Sequence, residues 1–309
     1  KKRLFSGLLV IFPTETVYGI GGNANNKTAI QLIYKTKKRP VSNPLICHFA
    51  NIEEIEKNFL LKEKDYELAS AFWPGPLTLI LEKNKNSKIT SLVSNKQNLV
   101  GCRIPNNEIA LSLLSKLDFP VAAPSANIAT KTSVTSISDL DDNLKKIFQI
   151  DGGSSVLGLE STVIKTTDTG CKILRLGSLT IEEIKNKFSY YKIEIEKSKV
   201  SPGNQLKHYS PNKPVRINVT YVNENEVLLN YGKNNLISNI KNLNLSSEES
   251  LLEAGHNFYN YLNILDQSDC SGIAVAPIPE NGLGKTINDR LRRASYNNDW
   301  KKLFYKKIY

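Results

Sequence analysis

Methionine is missing altogether from this 309-residue chain, even at position 1. That fits a trimmed start or methionines left out of the sequence, and in the second case a few motif spacings run one residue short. Cysteine is scarce and scattered: Cys47, Cys102, Cys171 and Cys270 are the four, and no two form a CxxC pair. The pattern argues against a thiolate zinc site and a disulfide framework, and for a reducing, cytoplasmic setting. No apolar run approaches the roughly 18 to 20 residues that cross a bilayer, so no membrane role is expected. The opening KKRLFSGLLVIFP has a basic start and an apolar stretch, superficially like a signal peptide. The stretch is short, holds Ser6 and Gly7, and runs into PTETVYG without a small-residue cleavage site. It reads as the first buried strand. No internal repeat occurs.

What is present is ordinary for a soluble globular protein, with 40% hydrophobic and 23% charged residues. The length suits two domains or one large one. Lys and Arg outnumber Asp and Glu by 41 to 30, a net charge of +11. A basic surface attracts polyphosphate or RNA. Lys and Asn are enriched everywhere, including surface stretches such as 142–146, which favours a background bias over a dedicated RNA face.

Apolar strand-like and helix-like runs alternate through the first 190 residues, the pattern of an α/β domain. Strands are predicted over 8–12, 45–50, 77–81, 99–104 and 119–123, with an antiparallel pair over 161–165 and 172–176. Helices are predicted after a Thr28 cap up to Pro40, over 64–72, 108–117 and 136–147, and after the Thr180/Glu183 capping box. Residues 189–214 lose the helical period and hold SPGNQLKHYSP (201–211), the mark of a linker or functional loop. Beyond it, strand-like runs at 215–222, 226–229 and 272–277 and helices over 247–265 and 285–294 form a small α/β domain. The expected division is 1–190, a linker over 191–214, and 215–309.

Polar blocks sit where apolar strands end, the place open α/β folds build their sites. PTETVYG (13–19) brings Thr14, Glu15 and Thr16. KKRPVSNPL (37–45), with His48 after it, brings Lys37, Arg39 and Asn43. APSAN (123–127) brings Ser125 and Asn127, followed by a hydroxyl-rich run from Thr130 to Ser136. Each has a plainer explanation. Cations at 35–39 complement a helix C-terminus, and Ser and Asn suit turns. Arg39 before Pro40 also makes a rigid phosphate fork. Arg103 in GCRIP and Arg175 in ILRLG sit in apolar strands, so each requires an anion or a carboxylate partner. GIGG (19–22) is a poor dinucleotide fingerprint, with no helix directly behind it.

In order, PTETVYGIGGNA, KKRPVSNPLICH, FWPGPLTLIL, VGCRIP, PVAAPSAN, IDGG with GLESTVI, ILRLG, SPGNQLKHYSP and GLGKTINDRL resemble the threonylcarbamoyl-AMP synthase family in its two-domain form. The likeness runs nearly end to end. Departures are mild: Asn204 replaces a usual methionine, Leu176 a common proline, and Gly158 precedes Leu159 where isoleucine is frequent. The resemblance implies a large twisted mixed sheet with flanking helices, a YrdC-like open α/β fold, followed by a small Rossmann-like α/β domain. It implies that L-threonine, bicarbonate and ATP become threonylcarbamoyl-adenylate and pyrophosphate, in a nucleotidyltransferase reaction. A separate threonylcarbamoyl transferase complex then modifies tRNA adenosine, and weak RNA or tRNA binding by this chain is compatible with its charge.

By that likeness threonine touches Thr16, His48, Arg103, the Ala123 backbone and Ser161. ATP touches Arg39, Asn43, the Leu99 backbone, Ser125, Ser133, Arg175 and Tyr209. Lys37, Arg39, Ser125 and Asn127 form the catalytic, anion-binding rim. Magnesium arrives with ATP, held mainly by phosphates and water since no carboxylate pair stands out; no organic cofactor is implied. Glu15 is a general-base candidate by chemistry alone, and the linker with Tyr209 a water-excluding lid. Two rival readings remain, a basic double-stranded-RNA-binding module and a carbamoyl-transfer domain of a hydrogenase-maturation protein. The second needs an acylphosphatase-like region and CxxC zinc motifs, which are missing.

Overall fold

The computed structural model describes residues 1–196 and 209–295. Positions 201–208 of the SPGNQLKHYSP motif, with Asn204 and His208, lie outside these. The described chain divides into two compact units, 1–129 with 133–196 and 130–132 with 209–295.

The first unit runs α1 Lys2–Phe5, β1 Val10–Phe12, β2 Gly19–Asn23, α2 Lys27–Lys37, β3 Ile46–His48, α3 Ile52–Glu56, β4 Phe59–Leu60, α4 Glu63–Phe72 and β5 Leu77–Lys83. It continues with β6 Leu99–Arg103, α5 Glu108–Leu114, β7 Val121–Ala122, β8 Phe148–Gln149, β9 Thr162–Thr167, β10 Gly170–Arg175, α6 Ile181–Lys187 and β11 Lys192–Ile195. The strands form one sheet in the order β11-β10-β9-β5-β6-β3-β7-β2-β1-β8, with β4 beside β5. The sheet is mixed: β3 and β6 run parallel, as do β5 and β9, whereas β5 and β6 are antiparallel.

Both faces are covered, and β1 explains how. Its Val10 and Phe12 point into a cluster with Leu113, Leu114 and Val121, while Ile11 joins Ile20, Ile33, Leu79 and Ile164 on the other side. A period of two residues sends alternate side chains to opposite faces, and each fully buried aliphatic contributes about 1.5 to 3 kcal/mol.

Several expectations change: the opening segment, expected as the first buried strand, begins with helix at Lys2–Phe5 before β1, and the strand expected over 215–222 is confined to Val215–Arg216. The cap of α2 is Asn26, whose side chain accepts from the Thr28 and Ala29 amides at 2.9 and 3.1 Å, so Thr28 lies inside the helix. Residues 136–147 hold only a short 3-10 turn at Ile137–Asp139. There Asp139 caps Ser136, and the Asp141 carboxylate takes the Asn143 amide at 3.0 Å, local bonds that compete with helix. The first unit also continues past residue 190, because β11 pairs in parallel with β10. Gly170 allows it: a Cβ there would stand 2.3 Å from the Lys192 carbonyl oxygen.

The second unit comprises β12 Val215–Arg216, β13 Glu226–Asn230, β14 Asn242–Asn244, α7 Leu251–Asp266, β15 Gly272–Val275 and α8 Gly282–Ala294. Its sheet, ordered β12-β15-β13-β14, is parallel throughout. Helix α7 starts at Ser250, whose hydroxyl accepts the Glu253 amide, and buries Phe258, Tyr259, Leu262 and Leu265. The short polar strand β14 has no apolar pattern and was invisible to periodicity.

Candidate active site

The motif blocks meet along the middle of the large sheet. Gly19 bridges Ser125, the Ala126 amide donates to the Tyr18 carbonyl at 2.7 Å, and the Ile20 amide to the Pro124 carbonyl at 2.9 Å. PTETVYG is thus stitched to APSAN by backbone. The Tyr18 amide donates to the Val134 carbonyl and the Leu157 amide to the Glu15 carbonyl, drawing in the hydroxyl-rich run and the GLEST loop. The Tyr18 hydroxyl holds the DGG turn, donating to the Gly153 carbonyl at 2.7 Å and accepting from the Gly152 amide at 2.9 Å.

At one end of β3 and β6 lie His48 and Arg103, opposite each other in the parallel register. Arg103 is buried and approached on three sides. Its Nε donates to the Gly75 carbonyl at 3.2 Å, Nη1 to the Thr16 hydroxyl at 2.8 Å, and Nη2 stands 2.6 Å from Glu15 Oε1. The anion that the lone strand arginine demanded is Glu15. Nη2 and both Glu15 oxygens nevertheless have no aligned hydrogen bond, so the pair is held by charge and retains bonding capacity. Thr14 donates to the Val17 carbonyl at 2.7 Å, so the Thr16 hydroxyl gives its proton to Thr14 and presents lone pairs to Arg103. Burial, and then the charge of Arg103, lowers the His48 pKa to about 3, so the imidazole is neutral at any working pH.

A second group joins β5, β9 and β10. The Thr78 and Ser161 hydroxyls are 2.7 Å apart, and Arg175 Nη2 donates to the Ser161 carbonyl at 2.7 Å and its hydroxyl at 3.1 Å. Arg175 thereby pins the turn that presents Ser161. The buried Ser133 hydroxyl donates to Glu160 Oε1 at 2.5 Å, a carboxylate that sequence patterning left unassigned inside GLEST.

The third group gathers at the opposite end of β3. Arg39 donates from Nε to the Asn43 carbonyl at 3.1 Å and from Nη2 to Asn43 Oδ1 at 2.6 Å and the Pro44 carbonyl at 2.9 Å. This fixes the turn that Pro40 and Pro44 frame. Lys37 is buried on the last turn of α2, its ammonium donating to the Ser125 and Asn127 carbonyls. Burial, and then the charge of Arg39, pushes its pKa well below the usual lysine range. Ser125 Oγ donates to Asn127 Oδ1 at 2.5 Å, tying the loop to itself. The Ala123 amide donates to the Ile46 carbonyl at 2.9 Å, between the two ends. Since Ile46 pairs with Gly101, the same register sets Leu99 level with Pro44, beside the Arg39–Asn43 turn. Tyr209 belongs to the second unit, buried against Tyr259 and Arg290.

Of the expected threonine residues, Thr16, His48 and Arg103 come together, Ala123 lies between the two ends of β3, and Ser161 sits instead with the expected nucleotide residues Arg175 and Ser133. Arg39, Asn43, Ser125, Lys37 and Asn127 gather at the other end of β3, and Tyr209 belongs to the second unit. Thr14, Glu15, Thr78, Tyr18 and Glu160 join them; of these, sequence singled out Thr14 and Glu15, in the PTETVYG block. Among the described residues no group of three or more His, Cys, Asp or Glu side chains is placed to hold a metal ion.

A large α/β unit with polar loops at its strand ends, followed by a small parallel one, defines a two-domain α/β class. Comparison with known proteins makes the class specific. The Sua5/YciO/YrdC family model, described as "Telomere recombination", matches residues 2–177. The model for the threonylcarbamoyl-AMP synthase C-terminal domain matches residues 179–295. The threonylcarbamoyl-AMP synthase of Pyrococcus abyssi is 34% identical over 94% of this chain and 91% of its own. That of Bacillus subtilis is 33% identical over 93% and 89%. The crystal structure of Pyrococcus abyssi Sua5 complexed with L-threonine superposes with a TM-score of 0.84 at 32% identity, covering 95% of this chain and 92% of that one. The chain belongs to the threonylcarbamoyl-AMP synthase family, in its two-domain form, and is an enzyme.

Proposed function

We propose that this enzyme is a nucleotidyltransferase that joins L-threonine, bicarbonate and ATP into threonylcarbamoyl-adenylate and pyrophosphate, for use by a separate transferase on tRNA in the cytoplasm. The observation that carries the reading is the buried Arg103, shared among Thr16, Glu15 and Gly75 beside a neutral His48. A guanidinium with unaligned Nη2 hydrogens suits the carboxylate of a small amino acid, because planar bidentate pairing is its strongest recognition mode. The Thr16 and Ser161 hydroxyls and the small Ala123 suit a short hydroxylated side chain.

Two steps follow. The free amine adds to carbon supplied by bicarbonate, forming the N–C bond and releasing water. A carbamate oxygen then attacks the α-phosphorus, forming an O–P bond as the bond to pyrophosphate breaks. The carbamate decays in water, so its capture depends on placement, for which effective molarities of about 10⁵ to 10⁸ M are attainable. Arg39, held by Asn43 and Pro44, and Arg175 supply fixed charge against the leaving phosphates. Lys37, Ser125 and Asn127 form one hydrogen-bonded loop that shapes the anion-binding rim. Neutral His48 orients without competing for a proton, and Glu15 steadies Arg103. Magnesium would arrive with ATP and be held by its phosphates and water.

The test is product identity. With ¹³C-bicarbonate, threonine and ATP, the adenylate product should carry the label at its carbamoyl carbon by mass spectrometry. An unlabelled threonyl-adenylate, or none, overturns the reading.

A further inference from the structure

The GLGKTINDRL motif has no part in the chemistry above, yet it builds an unusual centre. Arg290, on α8, is fully buried. Its guanidinium lies 4.6 Å from the Tyr209 ring centroid and 2.5 Å from Asp289 Oδ2. Tyr209 is itself 1% exposed and packs against Tyr259 of α7, centroids 6.0 Å apart. The rest of the motif seats this helix. A Cβ on Gly284 would stand 1.9 Å from the Pro279 carbonyl oxygen, and Asn288 Nδ2 donates to the Ile278 carbonyl at 2.9 Å.

Tyr209 and Thr130 both hold left-handed backbones, φ 60° and 74°, a region that an aromatic or β-branched residue occupies only under constraint. The two are joined, since the Ser210 amide donates to the Thr130 carbonyl at 2.9 Å. The neighbouring Thr132 hydroxyl donates to Asn263 Oδ1 of α7 at 2.5 Å, and Lys131 donates to Asn212 Oδ1. Segment 209–213 is fastened in turn, the Asn212 and Lys213 amides donating to Asp266 at 2.9 and 2.7 Å. In sequence, Thr130–Thr132 lies between Asn127, assigned above to the anion-binding rim, and Ser133, assigned to ATP.

We propose that Arg290 is a positioning residue for ATP. By clamping Tyr209 against Tyr259 it holds the strained Tyr209–Thr130 pair, and so fixes the loop that carries Asn127 at one end and Ser133 at the other. A desolvated guanidinium stacked on an aromatic face is a strong contact that a lysine reproduces only in part. This inference rests on the synthase reading for its consequence, but its test is separable.

In the full-length enzyme, Arg290→Gln should raise KM for ATP at least about tenfold while KM for threonine stays within about twofold. Arg290→Lys should recover part of the loss. Thr132→Val, far from the clamp in sequence and mild in volume, should shift KM for ATP in the same direction. Calorimetric titration with magnesium-ATP reads the same loss as affinity without turnover. A wild-type enzyme with no threonine-dependent pyrophosphate release would therefore defeat the synthase reading while the titration still decides this one. The proposal is overturned if folded Arg290→Gln, by circular dichroism and melting, binds ATP like wild type. It is equally overturned if both KM values, kcat and the melting temperature move together with no recovery by lysine, which is a purely structural role.

Discussion

Arg103 concentrates the chemistry of the site in one side chain. Its three donors are divided among a hydroxyl, a carbonyl and a carboxylate, and a lysine offers no such fork. Arg103→Lys should raise KM for threonine more than about tenfold with KM for ATP nearly unchanged, and steady-state kinetics with each substrate varied checks it. Equal effects on both constants would count against a threonine-specific role. His48 makes a pH prediction with a definite sign. Its native pKa is about 3 against an ordinary 6.5, so between these values the unfolded chain binds a proton that the native chain does not. Stability from this site is therefore complete above pH 6.5 and is lost as pH falls towards 3. A folded His48→Asn variant should show a flatter fall of melting temperature over that range; a slope as steep as wild type would refute it. At this scale sequence was half informative. A lone arginine in an apolar strand announced that it needed an anion, but nothing in the spacing of Glu15 and Arg103 paired them, because sheet order brings them together.

At the scale of elements, the site is made largely by strand ends, which are legible where apolar runs stop at Pro13 or Pro124, and by the end of α2, which Pro40 marks. The antiparallel β9–β10 pair and the Thr180 capping box follow from alternation and from Ser/Thr-x-x-Glu spacing. The stretch 136–147 misled because its apolar spacing is helical while its Asp and Asn side chains bond the nearby backbone. Gly177 shows how tightly one turn governs Ser161. A Cβ there would stand 2.4 Å from the Glu160 carbonyl oxygen, the Ser161 carbonyl carbon and the Thr162 amide nitrogen. Gly177→Ala must displace that backbone, so it should cost about 1 to 3 kcal/mol of stability and weaken threonine binding at the same time. Denaturant unfolding and threonine titration of the variant check both; loss of stability with intact threonine affinity would free Ser161 from the proposed role.

Across the whole molecule, the two-part division was readable from the break in periodicity near residue 190, but its edges were not. Strand β11 extends the first sheet beyond that point, and Thr130–Thr132 groups with the second unit, which no local pattern foretells. Among the described residues no helix is long and apolar enough to cross a membrane. The net charge of +11 predicts weak, sequence-independent tRNA affinity that falls steeply as salt rises from about 50 to 200 mM. Affinity insensitive to salt in a binding titration would instead require a shaped RNA site. The central claim, that a buried arginine and its hydroxyl neighbours select threonine for adenylation as a carbamate, is tested most directly by pyrophosphate release from ATP with bicarbonate and threonine, serine or no amino acid. Release should be fast with threonine, slower with serine and near background with neither. Equal rates in all three would contradict the account.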